Sequence, residues 1–247
     1  MRRIGKIKAV LFDFGQTLVD SADAFRAAEE DAKNKLFAAL NAKPGGPDWE
    51  AFLPLYRSTR KEFHQQSEFS RPAIWQHVAE LFHRRLEPDL LIKWEQSYWD
   101  QVSKQTKPFP ETIPVLEKLS SQFDLALVSN TQGQTYSGGH RLALFPQIES
   151  YFKVIIIAGE SGIPPKPHGE PFRLCLQRLG LSPQDVLFVG DDWRIDVGGA
   201  EKSNIQPVWL QHHAVKRNWP DVKTEVPVIT SLHDLFDLSF LTYVRTT

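Results

Sequence analysis

The 247-residue chain has one cysteine, Cys175, and so can form no intramolecular disulfide. That scarcity fits a reducing compartment, and the core must be held by packing rather than by covalent staples. Cys175 lies between Leu174 and Leu176 in a helical pattern, where it reads as a small packed residue rather than a nucleophile. Neither sign of charge is in excess: 29 Lys and Arg stand against 30 Asp and Glu, for a net charge of -1. This balance implies no basic face for a nucleic acid. No apolar run approaches the roughly 20 residues of a membrane helix. The opening stretch MRRIGKIKAVLFDF is basic, but Asp13 cuts its apolar run short of a signal-type hydrophobic segment. Repeats, low-complexity tracts and acidic runs are missing as well. These absences predict a soluble, cytoplasmic protein with no nucleic-acid and no membrane partner. The 41% hydrophobic and 24% charged residues are ordinary globular usage.

What is present is a series of short, nearly continuous apolar runs. They span residues 7–14 (IKAVLFDF), 124–130 (DLALVSN), 153–159 (KVIIIAG), 185–192 (DVLFVGDD) and 206–211 (QPVWLQ), with a weaker one, VPVIT, at 226–230. Runs of this kind suit strands buried on both faces of a parallel sheet. Helical patterns lie between the later runs. In GEPFRLCLQRLG, Pro171 sits in the first turn, apolar positions recur at Phe172, Cys175, Leu176 and Leu179, and Gly180 ends the pattern. The alternation predicts an α/β domain with right-handed crossovers.

From about residue 22 to 104 the strand signal disappears and four helix patterns follow, punctuated by NAKPGGPD, SRPA and EPD. Phe25, Ala28, Ala32, Leu36 and Leu40 form one stripe; Ile74, Val78, Leu81 and Leu86 another; Leu90 or Leu91, Trp94, Tyr98 and Val102 a third. The remaining pattern, WEAFLPLYRSTRKEF, contains Pro54, which should kink it. The expected organisation is therefore a core of residues 1–20 and 105–247 with a helical insertion at 21–104. By position the insertion is a cap, because it hangs from the C-terminal end of a strand, where open α/β sheets bind ligands.

Several strands end in polar residues: Asp13 after the first, Ser129 and Asn130 at the end of the second, Asp191 and Asp192 after the fourth, with Asp196 close behind. Lys166 precedes a helix. In a parallel sheet these ends face one crevice. Singly, each has a plain reading: Asp13 as a turn or capping residue, SNT as a turn, Lys166 as a solvated lysine. Their joint occurrence is harder to ascribe to capping. Adjacent Asp191 and Asp192 repel each other in a dry crevice unless a cation compensates, which points to a hard divalent ion with oxygen ligands. Mg²⁺ needs only one or two protein carboxylates, and Asp13 and Asp191 can supply them. Asp192 is equally placed to cap the helix starting near Trp193.

The ordered set resembles the haloacid dehalogenase (HAD) superfamily over residues 6 to 238. FDFGQTLVDS is similar to its first motif, D-x-D-x-T-L, VSNT to its second, Lys166 with KPHGEPF to its third, and VGDDWRID to its fourth. The resemblance implies a Rossmann-like parallel-sheet core with an inserted α-helical cap, and Mg²⁺-dependent hydrolysis of a small phosphorylated metabolite. It implies Asp13 as the nucleophile that forms an aspartyl-phosphate, and Thr17 as a brace for the first loop. Ser129 and the amide of Asn130 would hold phosphate oxygens, and Lys166 would neutralise charge. Asp13, the carbonyl of Gly15 and Asp191 would bind the metal, with Asp196 assisting.

The chain departs from that pattern at Gly15, where the family's phosphatases place a second Asp that protonates the leaving oxygen. General acid-base help is worth about 10²- to 10⁴-fold, so another group must substitute or turnover falls. Gln16 can at best donate a hydrogen bond and Asp192 falls on the wrong side of the metal, which leaves a residue of the insertion such as His64, or the substrate itself, as the alternatives. The open alternatives are a weakened phosphate- or ligand-binding protein, a 2-haloacid dehalogenase, or a phosphonatase using a lysine of the insertion such as Lys33, Lys35, Lys43 or Lys61. Trp75, Trp94 and Trp99 read as helix packing, and Arg57, Arg60 and Arg71 as helix-surface charge. His212 and His213 lack further ligands at zinc spacing. Substrate identity and oligomeric state are not encoded in any motif.

Overall fold

The computed structural model describes residues 6–131, 133–136 and 138–242. Two compact units divide the chain. The first comprises Met1–Ala22, Lys107–Asn130 and Leu142–Thr247; the second comprises Asp23–Thr106 and Thr131–Arg141.

The first unit is built on a six-stranded sheet. Its strands are β1 (Ala9–Phe12), β4 (Asp124–Asn130), β5 (Val154–Ala158), β6 (Val186–Gly190), β7 (Gln206–Leu210) and β8 (Val228–Ile229), in spatial order β5-β4-β1-β6-β7-β8. Every pairing in it is parallel. The apolar runs become strands because side chains alternate across the sheet and both faces are covered. Val10 and Phe12 pack on one face with Val115, Leu116 and Leu119 of helix α5 (Thr112–Ser120). Ala9 and Leu11 pack on the other with Phe172, Cys175 and Leu176 of helix α7 (Glu170–Leu179). Helix α7 stops where Gly180 adopts the left-handed conformation (φ 67°), which closes the helix at little cost for a residue without a Cβ. Cys175 is fully buried and burial pushes its thiol up to about 12, which fits a packing role.

The chain runs from β1 to β4 and β5 on one side, then crosses back to β6, β7 and β8 on the other. The reversal falls between β1 and β6, the crevice in which open α/β sheets bind ligands. A second pairing escapes the sequence pattern. Strands β2 (Val19–Asp20) and β3 (Lys107–Pro108) run antiparallel, with Val19 opposite Pro108 and Asp20 opposite Lys107. Two residues are too few to show a period of two.

The second unit holds four helices: α1 (Ala22–Leu40), α2 (Trp49–Gln65), α3 (Arg71–Leu81) and α4 (Pro88–Gln105). Helix α2 continues through Pro54, capped by Asp48, whose side chain accepts the Ala51 amide at 2.8 Å. Most of the apolar stripe residues converge with Trp75 and Trp99 in one core, but Leu81, expected on a stripe, is exposed at the end of α3. Arg71 departs from its expected place on a helix surface: it is buried, and its guanidinium faces Glu29 at 3.4 Å and the Tyr98 ring at 5.1 Å. Glu29 also accepts from the Tyr56 and Tyr98 hydroxyls at 2.5 and 3.1 Å and faces Arg60 at 3.5 Å. Residues 131–141 join this unit as well. Fully buried Glu95 accepts the Thr135 amide at 2.6 Å and the Tyr136 amide at 2.5 Å. No helix among the described residues is long and apolar enough to cross a membrane.

Candidate active site

Asp13 follows β1 directly, and its amide donates to the Val189 carbonyl at 2.9 Å, which extends the sheet ladder to the nucleophile candidate itself. Its carboxylate is buried. Oδ1 accepts from Ser129 Oγ at 3.1 Å and from Lys166 Nζ at 2.9 Å. The same Lys166 Nζ donates to Asp196 Oδ1 at 2.7 Å. Burial alone would lower the lysine's pKa, but Asp13 and Asp196 outweigh it and hold the ammonium charged.

Asn130 takes a different place from Ser129. Its side chain clasps the backbone of Lys166, donating to the carbonyl at 3.0 Å and accepting the amide at 2.7 Å. Ser129 touches Asp13 while Asn130 fixes the lysine.

The fourth motif folds as a π-turn, Trp193–Val197, and such turns recur at functional sites. Asp192 caps it, accepting the Arg194 and Ile195 amides at 2.9 and 2.8 Å. Asp196 is thereby turned back toward the strand ends, with Oδ2 accepting the Asp192 amide at 3.0 Å. Gly190 makes this approach feasible, since a Cβ there would meet the Asp196 side chain at 2.5 Å. Asp191 is held at its carbonyl by Trp209 Nε1 (2.9 Å) and at Oδ2 by Arg217 (2.5 Å).

Asp13, Asp191 and Asp196 bring buried carboxylate oxygens within 4.8 Å of one another. Burial and mutual repulsion push the Asp191 carboxyl well above its ordinary value, and burial raises Asp196 to about 7 against the pull of Lys166. Three buried acids crowded in this way are the donor set of a hard cation, so the residues fit Mg²⁺.

The loop after Asp13 is a tight turn. Leu18 and Val19 amides return to the Phe14 carbonyl, Gln16 donates to the Val19 carbonyl, and Gly15 bridges to Val19. Gln16 takes the left-handed position (φ 59°). In the orientation that satisfies its neighbours, its amide oxygen accepts from Ser21 Oγ and from the Ser21 and Ala22 amides, so it serves the start of α1. Thr17 is buried with its hydroxyl unpaired, so it contributes to the loop by packing rather than by hydrogen bonding. Of the acids in view as substitutes for the missing one, Asp192 is committed to capping.

The family model for haloacid dehalogenase-like hydrolases matches residues 7–204. The chain belongs to that family. This HAD hydrolase is 28% identical to glyceraldehyde 3-phosphate phosphatase of Methanopyrus kandleri, over 90% of its length and 91% of the relative's. It is likewise 28% identical to phosphoglycolate phosphatase of Escherichia coli, over 95% and 93%. Its fold superposes with a TM-score of 0.62 on a magnesium-bound HAD hydrolase, YfnB of Bacillus subtilis, at 22% identity and covering 95% and 99% of the two chains. Both of these sequence relatives are phosphatases.

Arg217 and Trp209 were not legible as site residues. Trp209 lies in an apolar strand pattern. Arg217 lies in an irregular stretch, residues 211–227, that carries no periodic signal.

Proposed function

We propose that the protein hydrolyses a small phosphorylated metabolite through an aspartyl-phosphate on Asp13, with Mg²⁺ held by Asp13, Asp191 and the Gly15 carbonyl, and Asp196 assisting. The observation that carries this reading is the single hydrogen-bonded group of Asp13, Ser129, Lys166 and Asp196 at the sheet's reversal point. Phosphatase relatives and a magnesium-bound fold neighbour support it. The helical unit is the proposed cap, inserted between residues 20 and 105.

The Asp13 carboxylate attacks phosphorus, the bond to the substrate oxygen breaks, and water then cleaves the acyl-phosphate and releases phosphate. Ser129 and Lys166 bind Asp13 Oδ1 and so hold the carboxylate in place. They also supply donors where charge builds on the phosphoryl oxygens. Asn130 keeps Lys166 in register. A bound Mg²⁺ supplies charge neutralisation for the phosphoryl group. The departing oxygen needs a proton, and Gly15 has none to give.

That absence favours a second reading, a phosphate-binding protein with little turnover. A panel of phosphomonoesters that includes phosphoglycolate and glyceraldehyde 3-phosphate, assayed with and without Mg²⁺, separates the two. Under the first reading the protein turns over, and Asp13→Asn loses about 10³-fold or more. Under the second it is silent, and Gly15→Asp gains about 10²-fold. Metal-independent halide release from a 2-haloacid would overturn both.

A further inference from the structure

Three carboxylates meet at this site, and Lys166 serves only two of them, Asp13 and Asp196. The third, Asp191, has its own cation. Arg217 Nη1 lies 2.5 Å from Asp191 Oδ2, with its side chain one-third exposed while that of Asp191 is buried. The placement is built rather than incidental. The guanidinium stacks over the Trp219 ring at 4.3 Å, Trp219 meets Trp209 edge-on with ring centres 6.3 Å apart, and Trp209 Nε1 donates to the Asp191 carbonyl. Two tryptophans thus hold both ends of the ion pair. Arg217 comes from the irregular stretch between β7 and β8, outside any strand.

We propose that Arg217 is the resident counter-cation of the acidic triad, which a divalent ion must outcompete at Asp191. The inference rests on the reading of Asp13, Asp191 and Asp196 as a Mg²⁺ site. A guanidinium on one carboxylate oxygen offsets the ligand's negative charge and repels a second cation nearby, and both effects weaken metal binding. In the metal-free protein the same contact keeps a buried acid compensated. Arg217 therefore sets the metal affinity, as a positioning residue that touches neither substrate nor reacting atoms.

The test is the affinity of the intact protein for Mg²⁺ by titration calorimetry, with Mn²⁺ binding followed by water-proton relaxation as an independent readout. Arg217→Gln, which keeps a donor but removes the charge, should bind both ions about 10-fold more tightly than wild type, because a like-charge repulsion is relieved. Arg217→Lys, which keeps the charge, should stay within about 3-fold of wild type, less than the span of a single outer-shell substitution. Saturable wild-type binding with unchanged or weaker affinity in Arg217→Gln would overturn the inference and leave the metal site standing. Equal tightening by Gln and Lys would also overturn it, because charge would not be the cause. No saturable binding by wild type would overturn the metal site and the inference together.

Discussion

Each unit buries a cluster of charge, and the two are balanced in opposite ways. In the helical unit one carboxylate, Glu29, receives two arginines and two tyrosine hydroxyls. Burial would raise its pKa, but Arg71 and Arg60 outweigh that and hold the carboxyl below its ordinary value. In the α/β unit three carboxylates share two cations, and burial raises Asp191 and Asp196. The first cluster is saturated with donors and fixes α1, α2, α3 and α4 to one another. The second is short of positive charge, and that deficit is what the proposed metal and phosphoryl transfer would use.

The largest effect should come from breaking the saturated cluster. Glu29→Ala strands Arg71 in the helical core, and the expected loss is about 3–5 kcal/mol, measured by denaturant unfolding. A loss below about 1 kcal/mol would show that the hub is incidental to stability. Next is the deficient cluster. Lys166→Gln removes the cation shared by Asp13 and Asp196, and turnover should fall about 10²- to 10³-fold. Unfolding should be affected less than in Glu29→Ala, because the wild-type site is already imperfectly compensated. If stability fell more than turnover, Lys166 would belong with Glu29 as a structural ion.

The smallest effect tests a polar group outside both clusters. His212 Nε2 and Ser231 Oγ meet Glu111 Oε1 at 3.0 and 2.8 Å, and the His212 ring stacks on Phe109. Burial pushes His212 below its ordinary 6.5 despite Glu111. Burial would raise Glu111, but hydrogen bonds from Ser231, its own backbone and His212 bring it below 4.5. Both folded groups therefore bind fewer protons than the unfolded chain does. Their stability is complete above about pH 6.5; the His212 share is lost as pH falls below that, and the Glu111 share below about 4.5. The effect is seen as a fall in Tm on acidification that is shallower in His212→Gln. An identical slope in the two proteins would remove His212 from the account.

The strands and the four chemical motifs were legible because a strand buried on both faces writes itself as an unbroken apolar run, and the polar residue that ends it stands out. Asp13 and Ser129 stand out at strand ends in that pattern, whereas Lys166, before a helix, and Asp196, in the turn after β6, join them through the order of the motifs. Helix periodicity located α1 to α4 because each buries one stripe. The sequence pattern was silent where charge is buried: Glu29, Arg71 and Glu95 sit among helical residues that look like solvent-facing positions, and only the partner chemistry of other helices reveals them. Residues 131–141 belong with the helices through backbone amides bonded to Glu95, a contact no side-chain pattern records. Arg217 was invisible for the same kind of reason, since it reaches Asp191 from an irregular stretch 26 residues away. Gly15 was the reverse case, a single residue whose departure from the family's first motif is plain in the sequence itself.

The solitary thiol of Cys175 has a practical consequence. It is sealed between α7 and the sheet, and it has no rival elsewhere in the chain. A thiol-reactive dye should therefore leave the native protein unlabelled and modify it at one atom as that face opens. The protein carries its own single-point clock for the opening of its α/β core, readable without introducing a probe.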